Sequence, residues 1–247
     1  MGGSYEAKHV VLTGGTGALG SAVASMLVER GATCHIPCFK KEELAAFPLK
    51  DHKRVRLTDG VDMSDEHAVE LYYSIFGAGR GCPLWAAVNL AGGFAMGPIE
   101  KVRRADLLKQ MEMNFVSCFL SCREAVRRMR EAGVDSGGVS VGGRIVNVAA
   151  RPVLEPRLGA GMTAYTASKA AVAIFTQALA EEVAADGIWV NAIVPSVMDT
   201  PANRQAMPKA DWSRWPKVQD VAAAIVSLAS PGNCATRGGL VPAYGRS

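Results

Sequence analysis

The sequence predicts an α/β protein built on a doubly wound, mostly parallel sheet with helices on both faces, a three-layer α/β/α arrangement. Three observations predict it: short apolar runs alternate with helix-length segments, a glycine-rich turn follows the first run, and no repeat or composition break divides the 247 residues. A chain of this length, 49% apolar, buries roughly 70% of its unfolded surface in one core. Residues 1–247 are therefore read as a single domain.

Residues 9–12 are apolar and β-branched, the chain then turns glycine-rich, and 21–30 reads as a helix ending before Gly31. Strands are expected at 34–39 and 53–57, then a helix at 66–76 and a buried strand at 84–89. After the turn at Gly97-Pro98, residues 107–129 are long and periodic enough for one helix. Residues 144–148 form a fifth strand, and the Gly/Ser-rich stretch 133–143 before it is expected to be a mobile loop, because its side chains bury too little to offset backbone ordering. Residues 163–185 are helical and alanine-rich, Gly187 ends them, and 188–194 is the sixth strand. A helix at 218–229 and a short strand at Leu240-Val241 complete the order.

Composition excludes several function classes. The net charge of +4, from 27 basic and 23 acidic side chains, is too balanced for a nucleic-acid surface. Arg123, Arg127, Arg128 and Arg130 share their segment with Glu124 and Glu131 and read as a solvated helix face. Six cysteines without an apolar leader after a charged start point to a reducing compartment, so a cytoplasmic location is expected. Cys118 and Cys122 read as packed thiols, and His9, His35, His52 and His67 show no ligand spacing, so no metal is expected. No run approaches the roughly 20 apolar residues that cross a bilayer, so no membrane partner is expected either.

The glycine-rich turn holds the spacing Gly15-x-Gly17-x-x-Gly20 between a strand and a helix. Glycines there allow a tight turn, a close backbone approach to pyrophosphate and close helix–strand packing, while the helix N-terminus offers unpaired N–H groups to an anion. Gly14, Gly15, Thr16, Gly17, Leu19 and Gly20 are the candidate dinucleotide contacts. A carboxylate for an unphosphorylated ribose is expected near the end of the second strand, where the sequence instead reads Cys38, Phe39, Lys40, Lys41. The lysines favour a 2′-phosphate, hence NADP(H), with Phe39 and Lys40 at that position; Glu42 and Glu43 keep NAD(H) open. Asp62, beside Met63, is placed for the adenine amino group, with a helix cap at Asp62 or Ser64 as the competing reading. Asn89, ending the fourth strand, is placed to brace the backbone around Ala91 and Gly92 beside the cofactor.

Tyr165 and Lys169 lie four residues apart on a predicted helix, hence on one face. An ammonium near a phenol favours phenolate and brings the hydroxyl into range as an acid or base, and the same ammonium can bind ribose hydroxyls.

Taken in order, the loop 13–20, Asp62, Asn89 to Gly92, Asn114, Tyr165 to Lys169, and Asn191 to Thr200 resemble the short-chain dehydrogenase/reductase family, from about His9 to Gly245. The resemblance implies a Rossmann-type sheet, NAD or NADP as cofactor, a small-molecule substrate and assembly through long helices as a homodimer or homotetramer. It implies that Tyr165 donates or accepts the proton, that Lys169 is its electrostatic partner and ribose contact, and that Asn114 supports a backbone–water relay to Lys169. Pro195, Val197 and Thr200 match the family's Pro-Gly-x-x-x-Thr segment, with Ser196 in place of glycine; Thr200 would then orient the nicotinamide amide or contact the pyrophosphate.

One departure matters. The fifth strand ends in Ala149-Ala150, where the family has serines, one of which hydrogen-bonds the reacting carbonyl or alcohol. Thr163 is the nearest possible substitute hydroxyl. Loss of one such donor costs on the order of 10²–10³ in rate. Three readings follow: a conventional but impaired carbonyl or alcohol oxidoreductase, an enzyme whose activated substrate needs no such hydroxyl, or a cofactor-binding regulatory or scaffolding protein. The second is supported by Ala91-Gly92-Gly93-Phe94-Ala95 and Gly161-Met162-Thr163-Ala164-Tyr165, which resemble the dihydropteridine reductase branch and imply a quinonoid or imine-like heterocycle. Phe94, Ala150, Trp212 and Trp215 are the candidate substrate contacts, with an anchor for the segment 201–216 or a subunit contact as the competing reading of the two tryptophans, and Lys209, Arg214 and Lys217 allow an anionic substrate.

Overall fold

Strand β1 (His9–Thr13) shows how the sheet is covered. Its Val10 and Leu12 join one apolar core and its Val11 the other, each fully buried, as the two-residue period of a strand requires. A computed structural model describes residues 5–77, 82–133 and 142–247. Its seven strands, β1, β2 (Thr33–Pro37), β3 (Val55–Thr58), β4 (Leu84–Asn89), β5 (Gly143–Val148), β6 (Ile188–Pro195) and β7 (Leu240–Ala243), lie in the order β3-β2-β1-β4-β5-β6-β7. Every adjacent pair is parallel. The order reverses between β1 and β4, which opens a crevice at their carboxyl ends.

The helices are α1 (Ala18–Glu29), α2 (Lys41–Ala46), α3 (Glu66–Tyr73), α4 (Arg104–Met111), α5 (Ser117–Glu131), α6 (Thr163–Glu182), α7 (Pro201–Ala206) and α8 (Val218–Leu228). Leu19, Val23 and Leu27 of α1 pack with Val221 and Ile225 of α8 over Leu12, Val88, Val146 and Ile193 of the sheet. On the opposite face Val69, Val126, Val172 and Leu179, from α3, α5 and α6, cover Val11, Ala87, Ile145 and Val190. Among the described residues no helix is long and apolar enough to cross a membrane.

The expected alternation is present, with two differences. The single helix expected over 107–129 is two helices joined by a wide π turn, Glu112–Val116, that carries Asn114. The extra residue in that turn turns Asn114 inward, where its amide bonds the backbone of the chain after β4. Short helices α2 and α7 were not expected, and the mobile loop expected at 133–143 falls mostly on 134–141, outside the described residues. The arginine face is an ion-pair seam as well as a solvated surface. Arg123 pairs with Glu66, Glu70 and the fully buried Glu124, and so ties α5 to α3, while Arg128 pairs with Glu131 and Arg130 with Asp186. Those carboxylates occupy the cations that phosphate would need.

Beneath the crevice runs a buried polar chain. Tyr73 and Ser121 share a hydrogen bond of 2.7 Å, and Ser121 donates to Asn89 Oδ1 at 2.6 Å. The Asn89 amide donates to Asn147 Oδ1 at 2.8 Å, and Asn147 donates to Thr176 Oγ1 at 2.9 Å. This links α3, α5, β4, β5 and α6. It also corrects the expected role of Asn89, whose side chain braces neighbouring elements and not the cofactor loop.

Candidate active site

The glycine-rich turn fits its predicted use. Gly14 has φ +64, and a Cβ there would lie 2.7 Å from Ala91 N; at Gly20 a Cβ would lie 2.5 Å from Gly15 Cα. At Gly17, by contrast, a Cβ would meet nothing closer than Gly14 O at 3.5 Å, so this side of the loop is open. Gly17 is also the N-cap of α1 and supplies no side-chain cap, which leaves first-turn N–H groups for an anion. These features fit a dinucleotide pyrophosphate.

Around the ribose position the structure adds a residue that spacing alone undervalued. Thr16 Oγ1 donates to Glu43 Oε2 at 2.9 Å, and Cys38 Sγ lies 3.6 Å from the same oxygen, because α2 carries Glu43 back to the phosphate loop. Phe39 is exposed, and exposed Lys40 is the N-cap of α2. Asp62 accepts from the backbone and hydroxyl of Ser64 at 2.8 and 2.7 Å, closing its own turn, while Met63 is buried in the α3-side core. Neither Asp62 nor Ser64 caps α3; Asp65 does, accepting from Ala68 N at 2.7 Å. From β4 the crevice receives backbone: Ala91 N donates to Thr13 Oγ1 at 3.2 Å.

Gly92 brings the two halves of the site together. A Cβ on it would lie 2.5 Å from Asn114 Oδ1 and 3.4 Å from Lys169 Nζ. The Asn114 amide clasps Gly93 from both sides, Oδ1 accepting from Gly93 N and Nδ2 donating to Gly93 O, each at 3.0 Å, and Nδ2 also donates to Ser168 Oγ at 3.1 Å. Lys169 is buried and donates to Val148 O at the end of β5, 2.9 Å away. Burial lowers its ammonium to about 8. Tyr165, one turn earlier, meets the edge of Phe94 at a centroid distance of 5.0 Å, and burial raises its phenol to about 12. Burial is the leading cause of both shifts. The ammonium is engaged with a β5 carbonyl.

Ala149 and Ala150 are buried at the end of β5, so methyl groups stand there, and Thr163 is exposed on the first turn of α6. After β6, Pro195 closes the strand and Ser196 donates to Tyr244 O at 3.1 Å and accepts from Ser247 Oγ at 2.7 Å, binding the loop to the chain's last turn. Val197 is exposed, and Thr200 caps α7 by accepting from Asn203 N at 3.1 Å. Trp212 donates to Met207 O at 2.9 Å and lies under Arg204, itself paired with Asp199; this is an anchor for the segment after α7, with half-buried Trp215 beside it. Sequence reasoning missed the apolar rim. Met96 and Ile99 after β4, Leu154 and Leu158 after β5, and Met207 after β6 are all exposed, and Gly97 N bonds Gly161 O at 2.7 Å to join the first two loops. Their signal was an apolar residue in each loop following a strand's carboxyl end.

A family profile described as short chain dehydrogenase matches residues 8–211, which contain the loop, Asn114, Tyr165 and Lys169. The chain belongs to the short-chain dehydrogenase/reductase family. It is 32% identical to the 3beta-hydroxysteroid dehydrogenase of Mediterraneibacter gnavus, covering 83% of this chain and 71% of that protein. It is 34% identical to the galactitol 2-dehydrogenase of Rhizobium johnstonii, covering 91% and 89%. A solved short-chain dehydrogenase/reductase, a glucose/ribitol dehydrogenase from Brucella melitensis, superposes with a TM-score of 0.81 over 98% of this chain and 97% of that one at 24% identity, which supports the fold. This short-chain dehydrogenase/reductase is thus an oxidoreductase that uses a nicotinamide cofactor.

Because a Cβ on Gly92 would clash with Asn114 Oδ1, Gly92→Ala is expected to displace Asn114 from Gly93, to lower kcat/KM by roughly 10²-fold and to lower the thermal midpoint by a few degrees. Steady-state rates alongside a melting curve check this.

Proposed function

We propose that this enzyme transfers hydride between a nicotinamide cofactor and a small, largely apolar carbonyl, alcohol or activated unsaturated compound, with Tyr165 as acid or base and Lys169 as its electrostatic partner. The observation that carries the reading is the buried Lys169 at the end of β5, one helical turn from Tyr165 and beside Gly92. The cofactor supplies the hydride. The chain's part is to hold the pyrophosphate at the α1 N-terminus, to give the Lys169 ammonium a place beside the ribose hydroxyls, and to move a proton at the Tyr165 hydroxyl. A phenol raised to about 12 holds its proton at neutral pH and serves as the donor in the reducing direction.

Without a hydroxyl at Ala149 or Ala150, the site polarises a carbonyl weakly. That favours a substrate already activated, such as an imine-like or quinonoid heterocycle, and the rim of Phe94, Met96, Ile99 and Leu154 favours an apolar one. The six cysteines are free thiols, which supports a reducing, cytoplasmic setting. Phe115 of the π turn and Phe119 of α5 pack against Phe175 of α6, with Phe119 and Ile174 exposed, which supports a homodimer or homotetramer through those helices.

Coenzyme choice rests on opposed charges. Lys40 and Lys41 favour the 2′-phosphate of NADP(H), as the sequence suggested, whereas Glu43 repels it and suits a ribose diol. We weigh Glu43 more, since it is hydrogen-bonded to the phosphate loop itself, and assign NAD(H) as the preferred coenzyme.

Following reduced-coenzyme absorbance against a panel of ketones, imines, enones and quinonoid heterocycles tests the reaction. Tyr165→Phe is expected to cost roughly 10²–10⁴ in kcat while coenzyme binding stays within a few-fold. Ala150→Ser is expected to raise turnover of plain ketones by about tenfold or more. Coenzyme binding without turnover of any panel member, unaltered by either variant, would instead support the regulatory reading. For the coenzyme, Glu43→Gln is expected to raise kcat/KM for NADPH relative to NADH by about tenfold; an unchanged ratio contradicts the assignment.

A further inference from the structure

The far end of the sheet carries a cluster that hydride chemistry does not use. His9 opens β1, His35 lies on β2 on the same face, paired in register with Val11, and Cys82 stands just before β4. His9 Nδ1 is 2.9 Å from His35 Nε2 and 3.0 Å from Cys82 Sγ, and Cys82 Sγ is 3.9 Å from His35 Nε2. Spacing along the chain concealed this, because the parallel register of three adjacent strands brings the residues together. The expectation that the histidines assemble no ligand set is thereby corrected.

We propose that His9 Nδ1, His35 Nε2 and Cys82 Sγ form a binding site for a zinc-class divalent cation, with water as its fourth ligand. Two imidazoles and a thiolate are the donors such an ion selects. Tetrahedral coordination at about 2.1 Å from nitrogen and about 2.3 Å from sulfur sets the ligand atoms about 3.4–3.6 Å apart, and the observed separations straddle that range. A neutral imidazole Nδ1 makes one hydrogen bond, as donor or as acceptor, yet His9 Nδ1 has two partners within bonding distance. One shared cation satisfies all three atoms at once.

The surroundings suit the ligand forms. Burial holds His35 down to about 4 and His9 below its ordinary value, so both rings present lone pairs at neutral pH. Phe76 packs edge-on against His35 at 4.8 Å and shields the site on the α3 side. Burial raises the Cys82 thiol, and Arg56, on β3 opposite His35, offsets part of that while opposing the cation itself, so the bound cation must supply the rest of the thiolate's stabilisation. The site lies about 15 Å from the phosphate loop, the length of β1. Its effect is to clamp the entries of β1, β2 and β4.

Metal-free full-length protein titrated with Co²⁺ and then Zn²⁺ tests the site. The expected result is one Co²⁺ per chain, a thiolate-to-cobalt charge-transfer band, displacement by Zn²⁺, and a thermal midpoint raised by several degrees. Cys82→Ser should abolish the band, and His9→Gln should weaken binding by roughly tenfold or more; Cys234→Ser, at an exposed thiol elsewhere, should leave both intact. Circular dichroism of the metal-free variants confirms folding, and His9→Gln keeps the test valid if Cys82→Ser does not fold. Absence of the band, or a band that persists in both ligand variants, overturns the proposal.

Discussion

The site is organised around a buried ammonium. Lys169 is largely withdrawn from water and donates to Val148 O, one carbonyl for a group with further N–H donors to satisfy. Desolvation of a cation is costly, and the chain tolerates it by placing the charge at the carboxyl end of β5, beside the open crevice. The neighbouring features follow from that position. Gly92, beside Lys169, can carry no side chain because Asn114 crowds it, and the π turn between α4 and α5 sets Asn114 against Gly93.

Rigidity beneath the crevice contrasts with its rim. The Ser121, Asn89, Asn147 and Thr176 chain joins helices of one face to the central strands through satisfied, fully or nearly buried groups, where each unmade bond would cost about 1–3 kcal/mol. Above it, the loops after β4, β5 and β6 expose Met96, Leu158 and Met207 to solvent. A hydrogen-bonded floor under an exposed apolar rim is a division that lets one fold serve many substrates by loop variation. At the end of β5 this chain places the buried methyl groups of Ala149 and Ala150, and the proposed preference for an already activated substrate rests on them.

Much of this was legible in the sequence, for physical reasons that also explain the remainder. Residues 84–89 read directly as β4 because a strand covered on both faces is apolar throughout, and the Gly15-x-Gly17-x-x-Gly20 spacing located the crevice because steric demands at Gly14 and Gly20 act within a few residues. The π turn was not legible, since it alters the period of 107–129 by a single residue. Glu43 reached the phosphate loop through a six-residue helix too short to read from periodicity. His9, His35 and Cys82 depended on strand register, which no local pattern states. Ser196, a simple replacement in the sequence, proved to tie the β6 loop to Tyr244 and Ser247.

The central claim is that Lys169 is a buried, under-coordinated cation completed by the coenzyme. Calorimetry of NADH binding in buffers of different ionisation enthalpy addresses it directly. With the ammonium lowered to about 8 in the free protein, ribose hydroxyls that accept from it favour the charged form, so binding takes up a fraction of a proton at about pH 8.5. The account predicts that uptake in the wild-type chain and its loss in Lys169→Met. No uptake, or equal uptake in both proteins, would contradict it.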